Sequence, residues 1–317
     1  MEKENDIQLS QSNALTNSRY DFSKLEKNVI YHIIRKVRHD YVEGTMQRDL
    51  FDNMYVYINS ADFAQITDEQ HTKEARAALR SLRHKDIEME DDEGNWLNVG
   101  FINYAKYNSK NKVYEVEVSK EIMPHLVELA KNFTEYSLTV AISLKSKYSQ
   151  RFYELCCQYR TRRTFFLEQG KLRQMLKLQE DEYKLNADFK RFIIDVAMKE
   201  LKKSYDAGQC DLWFETKAEG RGKAMRYNFK IHTKQDEAKE QELFGEVRKL
   251  ALYVYKRCKE IFKRDPKYCE RILQHLDFNP DKIQPVFDKL TKMEKDYKGS
   301  DLAKLLRWVL REDFDIK

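Results

Sequence analysis

The chain has 317 residues, of which 35% are charged and 41% hydrophobic, with only 9 Gly and 4 Pro; this composition argues against large disordered regions and suits a soluble, helix-rich protein. Its length calls for two or three folding units, each able to bury a core. The 58 Lys and Arg leave a net charge of only +5, so an anionic partner has to be argued from clustering and not from the total. Five cysteines, Cys156, Cys157, Cys210, Cys258 and Cys269, form no C-x-x-C pair, which argues against a zinc module or a disulfide framework. The opening MEKENDIQLSQSNALTNSRYD has no apolar signal region and no later run is long enough to cross a bilayer, so a cytoplasmic protein is expected.

In chain order, a polar leader precedes Ser23 and Glu26, which are spaced as a capping box, and Leu25, Val29, Ile30, Ile33 and Val37 give the period of a first helix ending near His39. MYVYI (54–58) reads as a short strand and Ser60 caps a helical turn to Ala64. EQHTKEARAALRSLRHKDI reads as a helix with Ala75, Ala78, Leu79 and Leu82 inward. Alternating runs on either side of Asp92-Glu93-Gly94-Asn95 predict a hairpin, KVYEVEV (112–118) another strand, and Lys120 to Asn132 a further helix.

The same order then returns. Tyr148, Phe152, Leu155, Cys156 and Tyr159 form a helical stripe, TFFLE a strand, and QGKLRQMLKL a short helix. NADFKRFIIDVAMKELKKSYD (186–206) is a long amphipathic helix, with Phe189, Ile193, Val196, Ala197 and Glu200 near one face and Arg191, Asp195, Met198 and Lys202 opposite. A second hairpin turns through Gly220 to Gly222. Helix, strand, helix, helix, hairpin is the order of a winged helix, so the expected fold is α+β and helix-rich: two tandem winged-helix domains, 1–133 and 134–234, followed by a helical unit, 235–317. In that last unit Leu243, Val247, Leu250, Ala251, Val254 and Cys258 mark a long helix broken at Asp265-Pro266.

Charge falls where such domains meet DNA. Lys145, Lys147, Arg151, Arg160, Arg162, Arg163, Lys171 and Arg173 precede the long helix, against only Glu154 and Glu168. Arg221, Lys223 and Arg226 lie in the second hairpin, and Lys73, Arg76, Arg80 and Arg83 along the corresponding first-domain helix. Basic residues on these elements neutralise phosphates, while Lys190 and Arg191, near the start of the long helix, are placed to read bases; Lys184 and Lys202 complete the expected set. Ile194 and Met198 are candidates for thymine methyls or for a contact within the protein. No catalytic, cofactor or metal site is expected: phosphate-binding glycine motifs, H-E-x-x-H and G-x-S-x-G are all missing, and Asp91, Asp92 and Glu93 read as an exposed acidic turn.

Three stretches also carry a resemblance. SNALTNSRYDFSKLEKNVIYHII (Asn13, Ala14, Leu15, Arg19, Tyr20, Leu25, Glu26, Lys27), SKYSQRFYELCCQYR (Arg151, Tyr153, Glu154, Leu155) and YKLNADFKRFIIDVAMKEL (Tyr183, Asp188, Phe189, Lys190, Arg191, Asp195, Ala197, Glu200) resemble the iteron-binding plasmid replication initiators of the RepA/RepE type. The resemblance spans 8–233 and departs from the family at Val196, where proline is frequent, and at Lys202, where asparagine is. It implies a non-enzymatic protein that binds directly repeated double-stranded origin DNA as a monomer, opens or marks the origin and recruits host replication proteins such as the host initiator and helicase; members of that family commonly form homodimers through the first domain, which bind an inverted operator and repress their own gene. A winged-helix transcriptional regulator without a replication role is the competing reading, and a scaffold for acidic proteins a third.

Overall fold

The computed structural model describes residues 7–316 except 52, 66–70, 91–92, 130–131 and 264; the side chains of 64–65, 71–72, 223, 237–244 and 246–247 also lie outside the described set. The chain divides into two compact units, Met1–Thr233 and Lys234–Lys317, each with its own apolar core.

The first unit opens with strand β1 (Gln8–Ser12) and helix α1 (Asn13–Asn17). Helix α2 (Lys24–Val42) starts where expected: Ser23 accepts from the Glu26 amide and the Glu26 carboxylate accepts from the Ser23 amide, which is the reciprocal cap. Next come β2 (Gln47–Arg48), β3 (Met54–Asn59) and a 3-10 turn (Asp62–Gln65). Helix α3 (His71–Leu82) buries Ala75, Ala78, Leu79 and Leu82 as its periodicity requires. The hairpin β4 (Asp86–Glu90) and β5 (Trp96–Gly100) is its wing; Asp91 and Asp92, the acidic turn, lie outside the described residues. Strands β6 (Ile102–Asn108) and β7 (Val113–Val118) do not prolong that hairpin but join β3 in a sheet of order β2-β3-β7-β6.

The helix expected over 120–132 is confined to α4 (Pro124–Val127). Pro124 sits in its first turn, the only part of a helix that does not need its missing N–H. The following segment is claimed by strand β8 (Phe133–Ser137), which pairs antiparallel with β1 from Gln8↔Ser137 to Ser12↔Phe133. The polar leader is therefore structural. Its buried Gln11 donates to Thr16 Oγ1 (3.0 Å) and accepts from the Tyr136 hydroxyl (2.9 Å), so polar side chains enter the core with their hydrogen bonds met.

Helix α5 (Leu138–Ser143) leads into the second winged helix: α6 (Lys147–Gln158), β9 (Thr164–Glu168), α7 (Gln169–Met175), then α8 (Asn186–Phe189), a π-helical turn (Lys190–Ile194) and α9 (Asp195–Asp206) in one continuous rod. The wing strands β10 (Leu212–Glu219) and β11 (Arg226–Thr233) complete a sheet of order β10-β11-β9. Phe165 stacks on Tyr159 and on Phe229, both at 4.6 Å between centroids, and with Phe152 against Phe214 at 5.3 Å these rings fill its core.

Among its described residues the second unit contains only helices: α10 (Lys234–Ile261), α11 (Pro266–Phe278), α12 (Ile283–Asp296) and α13 (Gly299–Phe314), with a 3-10 turn at Pro280–Lys282. Asp265 caps α11 by accepting from the Tyr268 amide (3.1 Å), with Pro266 in the first turn, so the break falls at Asp265-Pro266. Ala251, Val254 and Cys258 are buried there, while the side chains of Leu243 and Val247 lie outside the described set. All five cysteines are free and buried, and burial raises the pKa of each. Among the described residues no helix is long and apolar enough to cross a membrane.

Candidate nucleic-acid interface

The rod 186–206 follows the helix-turn-helix order and precedes the wing, and its two faces are set by an unusual spacing. Phe189, Ile193, Ala197, Leu201 and Tyr205 recur every four residues and are all buried. At 3.6 residues per turn an α-helix would rotate such a stripe away from the core by roughly 40° at every step. The π-helical turn at Lys190–Ile194 holds more residues per turn and offsets that drift. Two expectations change in consequence. Ile194, a candidate for the outer face, is fully buried, and Val196, expected inside, is 37% exposed. The outward side of the rod is Arg191, Phe192, Val196, Lys199 and Lys203. Lys199 and Lys203 were not among the expected contacts, although they continue the i+3 and i+4 series from Val196.

Hydrogen bonds and register place the charges at two ends of the second module. The Gln169 amide donates to the Met225 carbonyl (2.9 Å) at the wing tip, and the Gln169 side chain donates to Asn186 Oδ1 (2.9 Å) at the start of the rod. Lys171, Lys184, Lys190, Arg191 and Arg221 therefore belong to the wing-tip end; Lys223 is in the same turn, but its side chain is outside the described set. Gly220 has φ +88°, and a Cβ there would collide with the Ala224 carbonyl oxygen, so this tight turn requires glycine. At the other end, Arg160 pairs with Asp211 (2.6 Å), the Arg163 carbonyl accepts from the Ile231 amide, and Lys202 lies over the Trp213 ring. Eight-residue wing strands separate the two ends by roughly 20 Å. The run from Arg160 to Arg163 is therefore not brought together with the wing tip.

Several expected cations are already engaged. Lys190 pairs with Asp195 (2.5 Å), Lys202 with Asp206 (2.7 Å), Arg226 with Glu219 (2.8 Å) and Lys147 with Asp21 (2.6 Å). Arg173 donates to the carbonyls of Gln179 (2.7 Å), Glu182 (2.7 Å) and Tyr183 (3.2 Å), fixing the loop that leads into the rod. Among the described residues, Lys145, Arg162, Lys171, Lys184, Arg191 and Arg221 are exposed and pair with no carboxylate. Lys145 is held beside α9: Glu200 accepts from the amides of Lys145 (2.5 Å) and Ser146 (3.2 Å) and from Ser149 Oγ (2.6 Å), seating the rod on the start of α6.

Arg151 corrects the expectation outright. It is 3% exposed and cannot reach a phosphate. Its guanidinium stacks on the Tyr20 ring (4.1 Å to the centroid) and donates to the Tyr20 hydroxyl (2.5 Å) and the Ser18 carbonyl. Beside it the fully buried Glu154 accepts from Lys27 Nζ (2.6 Å), Tyr31 (2.9 Å) and Tyr20 (3.1 Å). Two cations and one carboxylate thus tie α2 and the Ser18–Tyr20 segment to α6. Lys177 adds a second tie, to Asp86 (2.7 Å) and Glu88 (3.0 Å) of the first wing; these carboxylates raise its pKa against the opposing effect of burial, and its ammonium lowers that of Asp86.

In the first module Lys73, Arg76 and Arg80 are exposed along α3, and Arg83 follows it. Arg76, Arg80, Arg83, Lys106, Tyr107 and Tyr114 line an open cleft of about 490 Å³, with the Arg76 guanidinium 4.9 Å from the Tyr107 ring centroid. Lys106 was not an expected contact; it comes from β6, whose departure from the wing the sequence pattern did not reveal. No group of described residues could hold a metal ion.

Comparison with known proteins agrees with this architecture. Residues 8–157 match the family model described as initiator replication protein, WH1, and 170–231 the one described as initiator Rep protein, WH2. An uncharacterized 27.6 kDa protein of Escherichia coli is 25% identical over 206 residues, 62% of this chain and 84% of that protein. Among solved structures, the Pi initiator protein in complex with iteron DNA aligns with a TM-score of 0.54 at 15% identity, over 73% of this chain and 99% of the other, a likeness of fold.

Proposed function

Because the chain belongs to the initiator replication protein family, with both of its winged-helix modules, we propose that it is a plasmid replication initiator that binds directly repeated origin DNA. The observation that carries this reading is the outward side of the rod 186–206. Arg191, Lys199 and Lys203 are exposed beside the apolar Phe192 and Val196, on the helix that a winged helix lays in the major groove. In that groove Arg191 reads guanine, and Val196 and Phe192 meet thymine methyls. Lys145, Lys171, Lys184 and Arg221 neutralise phosphates, and Lys190 and Lys202 join them by exchanging their own carboxylate partners for the DNA. The first module adds Lys73, Arg76, Arg80 and Arg83 on a neighbouring stretch of duplex. Two joined readers gain affinity because docking one raises the effective concentration of the other.

The same reading divides the chain at 133/134 and 234/235 and gives the initiator its further tasks. It marks and opens the origin, brings host initiator and helicase to it, and represses its own gene as a homodimer formed through the first module. The structure of a Pi initiator bound to iteron DNA is the precedent for repeat binding by this fold. The test is a salt-titrated binding assay on the DNA upstream of the gene, with repeats intact or shuffled. Preference for intact repeats, with log affinity falling in log salt by about 0.9 per phosphate contact, is expected. Equal, weak binding to both DNAs would refute it.

A further inference from the structure

The wing of the first module is ill suited to lie on DNA. Residues 86–100 carry Asp86, Glu88, Glu90, Asp91, Asp92 and Glu93 and no Lys or Arg, so the hairpin of β4 and β5 repels a phosphate backbone. Its first strand is also held from within the unit. The Arg19 amide donates to the Glu88 carbonyl (2.8 Å) and the Glu88 amide to the Arg19 carbonyl (2.9 Å), an antiparallel bridge, while the Arg19 guanidinium pairs with Glu90 (2.7 Å). With Lys177 on Asp86 and Glu88, every carboxylate of β4 has a cation from outside the hairpin, and this wing serves as a strut between the two modules.

The cations gather on a different hairpin. Strands β6 and β7 turn through Asn108-Ser109-Lys110-Asn111-Lys112, a run with two lysines and no carboxylate. The turn is ordered: Asn108 Oδ1 accepts from the amides of Lys110 (3.1 Å) and Asn111 (3.2 Å), and the Lys112 carbonyl accepts from the Ser60 amide (2.9 Å). Lys110, Asn111 and Lys112 are all exposed, and neither lysine pairs with a carboxylate among the described residues. The same hairpin faces α3 across the open cleft, where Tyr107 and Ser109 stand with Arg76, Arg80 and Arg83 and no lining residue is acidic among the described residues. A cationic surface therefore runs from α3 to the hairpin tip. Since α3 is the helix that a winged helix lays in the major groove, the polyanion that fits the rest of this surface is the sugar-phosphate backbone bordering that groove.

We propose that the first module grips duplex DNA between α3 and the hairpin of β6 and β7, with Lys110 and Lys112 on phosphates beside the groove that α3 enters, while its acidic wing stays off the DNA. The inference rests on the initiator reading and deepens it. The two modules use different hairpins: the second its own wing, with Arg221 at the tip, and the first the hairpin that follows the wing in sequence.

The experiment compares the full-length protein with its Lys110→Gln/Lys112→Gln variant in salt-titrated binding to the DNA upstream of the gene, repeats intact or shuffled. Both side chains lie in solvent, and the turn's hydrogen bonds use only their backbone, so the fold is kept, which an unchanged urea midpoint checks. The slope of log affinity against log salt is expected to be smaller in the variant by about 1.8, two contacts at about 0.9 each, on both DNAs. Position is read by photocrosslinking from a single added cysteine, Asn111→Cys on the hairpin or Trp96→Cys on the wing; all five natural cysteines are buried, so the label goes to the new one. Crosslinking to DNA from the hairpin and not from the wing is expected. An unchanged slope, or crosslinking from the wing in place of the hairpin, overturns the proposal. If the parent binds intact and shuffled repeats alike, it is the initiator reading that fails, and the change in slope on that DNA still decides the role of the hairpin.

Discussion

Replacing Glu154 by Gln tests whether the buried charges between α2 and α6 hold the two modules together. The side chain is fully buried and accepts from Lys27, Tyr31 and Tyr20, with the Arg151 guanidinium 3.8 Å away. Glutamine keeps the shape but leaves two buried cations without an anion. Breaking a buried pair from one side costs about 3–5 kcal/mol. With a urea dependence of about 3 kcal/mol per molar, the unfolding midpoint falls by roughly 1 to 1.7 M. Of the three tryptophans, Trp96 and Trp213 lie in this unit and Trp308 in the helical one, so fluorescence in a Trp308→Phe background follows the unit of interest. A midpoint shift under roughly 0.3 M would refute the reasoning, because it would mean that Lys27 and Arg151 find other partners or water once the carboxylate is gone.

Other expectations follow from the same geometry. Arg191→Ala is expected to weaken repeat binding by about 1–3 kcal/mol and relax preference at one base position; equal loss on random DNA would make it a phosphate contact. Burial, reinforced by nearby Arg35, pushes the pKa of His32 from 6.5 down to about 4. Between those values the unfolded chain takes up a proton that the fold refuses, so stability falls as pH drops, by up to about 3 kcal/mol. His32→Gln should remove that component, and an unchanged pH dependence from 6.5 to 4 in chemical unfolding would count against it. Gly220→Ala, at φ +88° and against the Ala224 carbonyl, should cost about 1 kcal/mol or more and weaken repeat binding through the wing; unaltered affinity would remove the wing tip from the interface.

Much of this architecture could be read from local pattern, where the interactions are themselves local. The Ser23 and Glu26 box and the α3 stripe of Ala75, Ala78, Leu79 and Leu82 depend on neighbours within one or two turns, and both are present. The strand β1 was not legible, because its only strongly apolar residue is Leu9 and its burial is made acceptable by Gln11, Thr16 and Tyr136 bonding across the fold. Arg151 was misread for a related reason: a charge that is solvated and one that is buried look alike in sequence, and two of its partners, Ser18 and Tyr20, lie more than a hundred positions away. The outward side of the rod was half legible. The four-residue spacing of Phe189, Ile193, Ala197, Leu201 and Tyr205 is the trace of the π-helical turn, and attention to it would have placed Ile194 inside and Val196, Lys199 and Lys203 outside.

The pairing of β1 with β8 also sets an order of events during synthesis. Gln8 leaves the ribosome long before Ser137, its register partner, and at about 5–20 residues per second the leader waits roughly 6 to 26 s for it. Lys27 waits about as long for Glu154, which lies in α6. The nascent chain therefore cannot finish its first module and release it as an independent body. The strand that pairs with β1 and the carboxylate that Lys27 needs arrive only as the segment from Phe133 to Glu154 is made, so completion of the first module is timed by the synthesis of that later segment.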